Sequence, residues 1–97
     1  MKALGEIQVI PIGAGVSVRR EVMRAHEIIG QAGLKTQLHA YGTDVEGDLD
    51  TILNVIKVVH ETLHAEGTTR LSTAIKIGTR TDKEPSLDDR LFKPAGH

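Results

Sequence analysis

The decade Tyr41-Gly42-Thr43-Asp44-Val45-Glu46-Gly47-Asp48-Leu49-Asp50 holds, in succession, a tight turn, a short strand, an acidic side chain and a helix start. Gly42 can take the positive φ of a tight turn without steric cost. Asp48 is a good N-cap for the apolar-periodic run that begins at Leu49. Glu46 lies between these two fixed points, so its carboxylate is aimed rather than free. A rigid acid beside a turn suits recognition of a cationic or amino-bearing ligand, with a purely structural carboxylate as the alternative.

Downstream, Leu49, Ile52, Ile56, Val59 and Leu63 recur at helical spacing, which predicts a helix over 49–65 with Gly67 just beyond it. Leu53, Val55 and Val58 widen the apolar stripe past what one sheet face needs, so this helix is either deeply buried or covered by a second subunit. Residues 69–79 read as the last strand, with Thr73, Ile75 and Ile77 on one side and Ser72, Lys76 and then Arg80 on the other. Upstream, 34–41 reads as a strand that turns at Gly42 into a short strand over 43–46. A helix over 17–32 precedes it, with Ser17 as the expected N-cap and Gly33 as the C-terminal stop. The first strand spans 3–12: Gly5, Ile7 and Val9 alternate with Glu6 and Gln8, and Pro11 with Gly13-Ala14-Gly15 ends it.

The order is therefore βαββαβ. Two right-handed crossovers that place both helices on one face of a four-stranded antiparallel sheet define the ferredoxin-like α+β sandwich. The other face is expected to collect Glu6, Gln8, Gln37, His39, Tyr41, Glu46, Lys76 and Arg80, together with Leu4 and Ile10. One domain over 1–97 is expected, ending in a short polar tail from about residue 85.

Composition narrows the partners. Lysine plus arginine number 12 against 13 acids, a net charge of −1, which argues against nucleic acid or an anionic membrane. Tyr41 and Phe92 are the only aromatics, too few for a base-stacking platform. The chain has no cysteine, which removes disulfides, thiolate catalysis and cysteine zinc sites. Early charge at Lys2 and Glu6 does not fit a signal peptide, and no apolar run has membrane-spanning length, so a cytoplasmic protein is expected.

Four motifs have a functional and a plain reading. His60-Glu61-Thr62-Leu63-His64 matches H-E-x-x-H, with both histidines on one helix face as zinc ligation requires. Arg70 stands where the longer motif wants a third histidine, and 97 residues leave little room for a protease cleft, so the plain reading is a polar flank near the helix C-terminus. Gly13-Ala14-Gly15 lacks the third glycine of a dinucleotide fingerprint (Val18 stands there) and has no Gly-Lys-Ser, which makes it a strand-to-helix turn. Asp48 and Asp50 read as cap and first-turn acids rather than metal ligands. Lys76, Arg80 and Lys83 with Asp82 read as a solvated strand end; the alternative is that Lys76 or Arg80 pairs with Glu6 or Glu46 across the sheet and shapes a pocket. No catalytic triad and no acid pair for acid–base chemistry emerges from the spacing.

Val9-Ile10-Pro11-Ile12-Gly13, Gly42-Thr43-x-Val45-Glu46-Gly47 and Ile75-Lys76-Ile77-Gly78-Thr79-Arg80 with Asp82-Lys83 together resemble the YkoF-like thiamine-binding protein family, over residues of about 3 to 90. The resemblance implies a ferredoxin-like fold, homodimers or homotetramers, binding of thiamine or its pyrimidine part, and no established catalysis. The positions that match are Gly42, Thr43, Glu46, Lys76 and Arg80; Gly78 departs, standing where the family implies an acid. Thiamine carries a cationic thiazolium and an aminopyrimidine, so Glu46 could offset the cation or accept from the amino group, with Thr43 and Gln8 completing hydrogen bonds. The Gly-Asp-Gly…Asn pattern that holds magnesium and diphosphate is missing, so no cofactor is expected and the unphosphorylated vitamin fits best. The expected function is non-catalytic thiamine or aminopyrimidine binding in uptake, storage or sensing. Alternatives are an enzyme on an oligomeric scaffold, zinc-assisted through His60 and His64, and a protein-docking regulatory module.

Overall fold

The computed structural model describes residues 1–13 and 19–83. Strand β1 (Lys2–Pro11) leads to helix α1 (Arg19–Gly30); β2 (Lys35–His39) and β3 (Gly42–Asp48) follow, then α2 (Leu49–Ala65) and β4 (Leu71–Gly78). The sheet order is β2-β3-β1-β4 and every neighbouring pair is antiparallel. This is the ferredoxin-like βαββαβ sandwich. Each expected element is present, with boundaries shifted by a few residues. Helix α1 stops at Gly30, and a turn carries the chain to Gly33, whose φ of 81° makes it the expected C-terminal stop. Strand β3 runs two residues past Glu46 because Ala3↔Gly47 and Lys2↔Asp48 continue the ladder. The expected cap Ser17 and the tail from about residue 85 lie outside the described residues.

The core forms where the period-two strands meet the helical stripes. Ala3, Ile7, Val9 and Val45 project from the sheet onto Ala25, Ile28 and Ile29 of α1 and Ile52, Val55, Val59 and Leu63 of α2. Burying a side chain of this size contributes about 1.5–3 kcal/mol. Gly47 belongs to this packing: a Cβ there would collide with the Leu34 side chain.

Helix α2 starts where Asp48 predicts. Its carboxylate accepts from the N–H groups of Asp50 (3.1 Å) and Thr51 (3.4 Å), satisfying donors that the first turn leaves open. It also accepts from the Met1 ammonium at 3.2 Å, and that bond is the first cause holding its pKa below the ordinary carboxylate value. Leu49 N–H donates to Met1 O (2.8 Å), extending the β1–β3 ladder to the helix start. The wide stripe of α2 divides. Val55 is buried, whereas Leu53 is 48% exposed and Val58 36%, and Ile75 and Ile77 of β4 stand 41% and 37% exposed on the helix side of the sheet.

Pro11 sits within a central strand, a place that normally demands an N–H. Two hydrogen bonds at the strand ends fix the pattern. Ile12 N–H donates to Arg70 O (3.0 Å), so the even-numbered residues of β1 bond β4; the Leu49–Met1 bond places the odd-numbered ones on the β3 side. The β1–β3 register ends at Ile7↔Thr43. Pro11 therefore withholds its donor where β3 is no longer present, and its pairing with Leu71 loses nothing.

Candidate functional site

The overhang of β1 beyond β3 opens a slot in the sheet layer. Its floor is Ile7 to Pro11, α1 contributes Val22, Ala25 and Ile29, and the β2–β3 hairpin closes it with His39 to Thr43. The cavity holds about 290 Å³. Its walls are mostly apolar, and polar groups converge from the hairpin and from Gln8, the composition expected of a small-molecule pocket.

The hairpin geometry depends on Gly42. His39 pairs with Gly42, so Ala40 and Tyr41 form a two-residue turn. Such turns usually place positive φ at their central residues. Among the described residues no non-glycine residue has positive φ, and Gly42 takes it instead at 154°. A Cβ at Gly42 would lie 2.6 Å from Ile7 O. Thr43 points to the helix side, is 4% exposed, and its hydroxyl lies 3.3 Å from His26 Nδ1.

On the open face beside the slot, Glu6 and Asp44 stand directly opposite each other across β1 and β3. Like charges in that position repel unless something bridges them. His39 does so: its Nε2 lies 3.3 Å from Glu6 Oε2 and 3.0 Å from Asp44 Oδ1. Tyr41 N–H donates to His39 Nδ1 at 3.2 Å, which selects the tautomer with its proton on Nε2, between the carboxylates. These three residues are the described cluster with ligand atoms close enough to hold a metal ion, all within 4.8 Å. The tautomer opposes that use, because a metal on Nε2 would move the proton to Nδ1, against Tyr41 N–H. The cluster instead places two partly exposed carboxylates on the open face, both in contact with His39, which itself lines the slot.

The expected site residues fall in two groups. Gln8, Gly42 and Thr43 meet at the slot. Glu46 lies on the open face four residues farther along β3, roughly 13 Å at about 3.3 Å per residue. Its side chain is 10% exposed and lies 3.9 Å from the Lys2 ammonium. Lys76 stands opposite Glu6 on β4, completing a row Gln37, Asp44, Glu6, Lys76 across the open face. Arg80, past the end of β4, donates through Nε to Asp82 Oδ1 at 2.6 Å and through Nη2 to Oδ2, and this pairing pulls the Asp82 carboxyl down to about 2. Tyr41, expected on the open face, is in the hairpin turn and is 73% exposed. Glu6 and His39 were assigned to the correct face, but their meeting with Asp44 becomes visible only once the register is known.

Both histidines of the H-E-x-x-H run have protein partners. His60 Nε2 lies 2.6 Å from Thr73 Oγ1, tying α2 to β4, and His64 Nδ1 lies 2.7 Å from Thr68 O beyond the helix end. No described helix is long and apolar enough to cross a membrane.

Known proteins resemble this chain along most of its length. A UPF0045 protein of Synechocystis sp. is 38% identical over 91 residues, covering 94% of this chain and 75% of that protein. A UPF0045 protein of Methanocaldococcus jannaschii is 38% identical over 90 residues, covering 93% and 89%. Its crystal structure superposes with a TM-score of 0.82, covering 89% of this chain and 88% of that one. A Thermotoga maritima protein, described as a candidate in thiamine biosynthesis or salvage, shares the fold with a TM-score of 0.74 at 24% identity, covering 82% and 85%. The family profile described as thiamine-binding protein matches residues 5–93, and the chain belongs to that family.

Proposed function

We propose that this protein binds thiamine, or its aminopyrimidine part, in the β1 overhang slot without transforming it, and that it serves uptake, storage or sensing in the cytoplasm. One observation carries the reading: an apolar slot of about 290 Å³ is walled in part by His39, whose Nε2 lies between the carboxylates of Glu6 and Asp44. The pyrimidine enters between α1 and the hairpin. The cationic thiazolium stays at the mouth, where Glu6 and Asp44 offset its charge and Gln8 borders the passage. Membership of the thiamine-binding family and the description of the Thermotoga relative support the same ligand. The anionic mouth disfavours the diphosphate form. Leu53, Val58, Ile75 and Ile77 favour a homodimer or homotetramer, because isolated monomers seldom leave that much large apolar surface in water.

Thermal unfolding with and without thiamine tests this. A ligand that binds only the folded state stabilises it by mass action, about 2.7 kcal/mol at one hundred times Kd. A dose-dependent rise in melting temperature is expected. An unchanged melting temperature up to millimolar thiamine would overturn the reading. Zinc titrated in parallel checks the enzymatic alternative; a rise with zinc alone, lost in His64→Ala, would favour it.

A further inference from the structure

The slot has a main-chain side as well as a side-chain one. Odd-numbered residues of β1 direct both N–H and C=O toward β3, and Ala3, Gly5 and Ile7 find their partners there. Val9 is next in that series. Its partner would be Tyr41, but that residue is in the hairpin turn, and the register has already ended at Ile7↔Thr43. Among the described residues, neither the strand ladder nor any turn hydrogen bond supplies a partner for the Val9 N–H or C=O. Val9 is 8% exposed and lines the cavity, so these groups face the slot rather than bulk water. Buried main-chain groups of this kind call for a partner, since leaving them unpaired costs about 1–3 kcal/mol each.

We infer that Val9 reads the ligand through its main chain, taking a planar heterocycle whose edge carries an amino group beside a ring nitrogen. The inference rests on the slot being the ligand site. In an extended strand the N–H and C=O of one residue point the same way, which is how a rung of antiparallel ladder is exchanged. A 4-aminopyrimidine edge reproduces the missing rung: its amino group donates to Val9 C=O and its ring nitrogen accepts from Val9 N–H. Pro11 sharpens the choice. As the next odd-numbered residue it offers a carbonyl and no donor, so the reading edge is confined to Val9. The ring is selected by hydrogen-bond polarity, a code that any residue other than proline at position 9 would present.

Paired titrations with thiamine and its 4-oxo analogue oxythiamine test this, because the analogue presents an acceptor and a ring N–H in place of donor and acceptor. Both Val9 groups would then face a group of their own kind. The expected result is binding at least about 100-fold weaker for oxythiamine. Amide exchange on nitrogen-15-labelled protein should also show the Val9 N–H slowing when thiamine is added. Equal affinity for the two ligands would overturn the inference and leave the binding function standing. So would thiamine binding with the Val9 amide unperturbed. Binding of neither would overturn the function, and this inference with it.

Discussion

The two ends of β1 are built from similar residues and reach opposite outcomes. At its start, β1 is paired on both sides, Met1 O accepts from Leu49, and the Asp48 carboxylate caps the helix that follows. At its finish, one neighbour has ended, and the chain has Pro11, a cavity and a pair of bridged acids in place of a ladder. A single central strand thus has one end laddered on both sides and the other laddered on one side only. What separates them is the position of Gly42, which decides where β3 begins.

Four variants probe that contrast. Ile52→Ala strikes the closed end, where the side chain is fully buried; a cost of about 2–5 kcal/mol in urea unfolding is expected, with the thiamine-induced stabilisation preserved. Gly42→Ala strikes the boundary itself. Positive φ and the clash with Ile7 O should cost about 1–3 kcal/mol and also reduce the thiamine response; a normal response would mean that the hairpin does not shape the slot. The double variant Glu6→Gln, Asp44→Asn removes two repelling charges from the open end. Its stability should change by under about 1 kcal/mol while thiamine affinity falls by about tenfold or more, the loss shrinking at high salt. Glu46→Gln, farther down the same strand, is the control: a loss as large as that of the double variant would relocate the site along β3.

The smallest effect concerns Arg80. The hydrogen bonds from Arg80 pull the Asp82 carboxyl down to about 2, and Arg80→Ala should return it to the ordinary carboxylate range in a carboxyl NMR titration. A folded-state pKa depressed in this way contributes stability above the unfolded value near 3.8, and that contribution disappears as pH falls through about 2. Because the pair is exposed, the unfolding midpoint at neutral pH should barely change.

Much of this was legible in the chain. Periodicity located all six elements, since strands of period two and helices of period 3.6 imprint themselves on Ile7, Val9, Ile52, Val59 and Leu63 without reference to anything distant. Asp48 announced its cap because capping is local. The slot was not announced, because it arises from register, which couples residues such as Ile7 and Thr43 that are far apart in sequence. One signal did exist: a first strand read as 3–12 cannot be matched along its length by a partner read as 43–46. Glu46 attracted attention because it sits between two fixed points, whereas Glu6 and Asp44 each look like ordinary solvent-face residues until they are brought opposite one another. His60 and His64 match a metal motif by spacing alone, and Thr73 and Thr68, which bond them, lie outside that spacing.

Pro11 has one more consequence, for colloidal behaviour. A strand that stops short normally leaves its neighbour open to a passing β-segment from another molecule, the first step toward aggregates and fibrils. An intruding strand could exchange one rung with Val9 and would then meet a proline with nothing to donate. On the proposed function, the gap would take a small flat molecule while stopping a polypeptide from zipping along it. Replacing Pro11 by valine should leave the fold intact and shorten the time the protein stays clear of precipitate at high concentration.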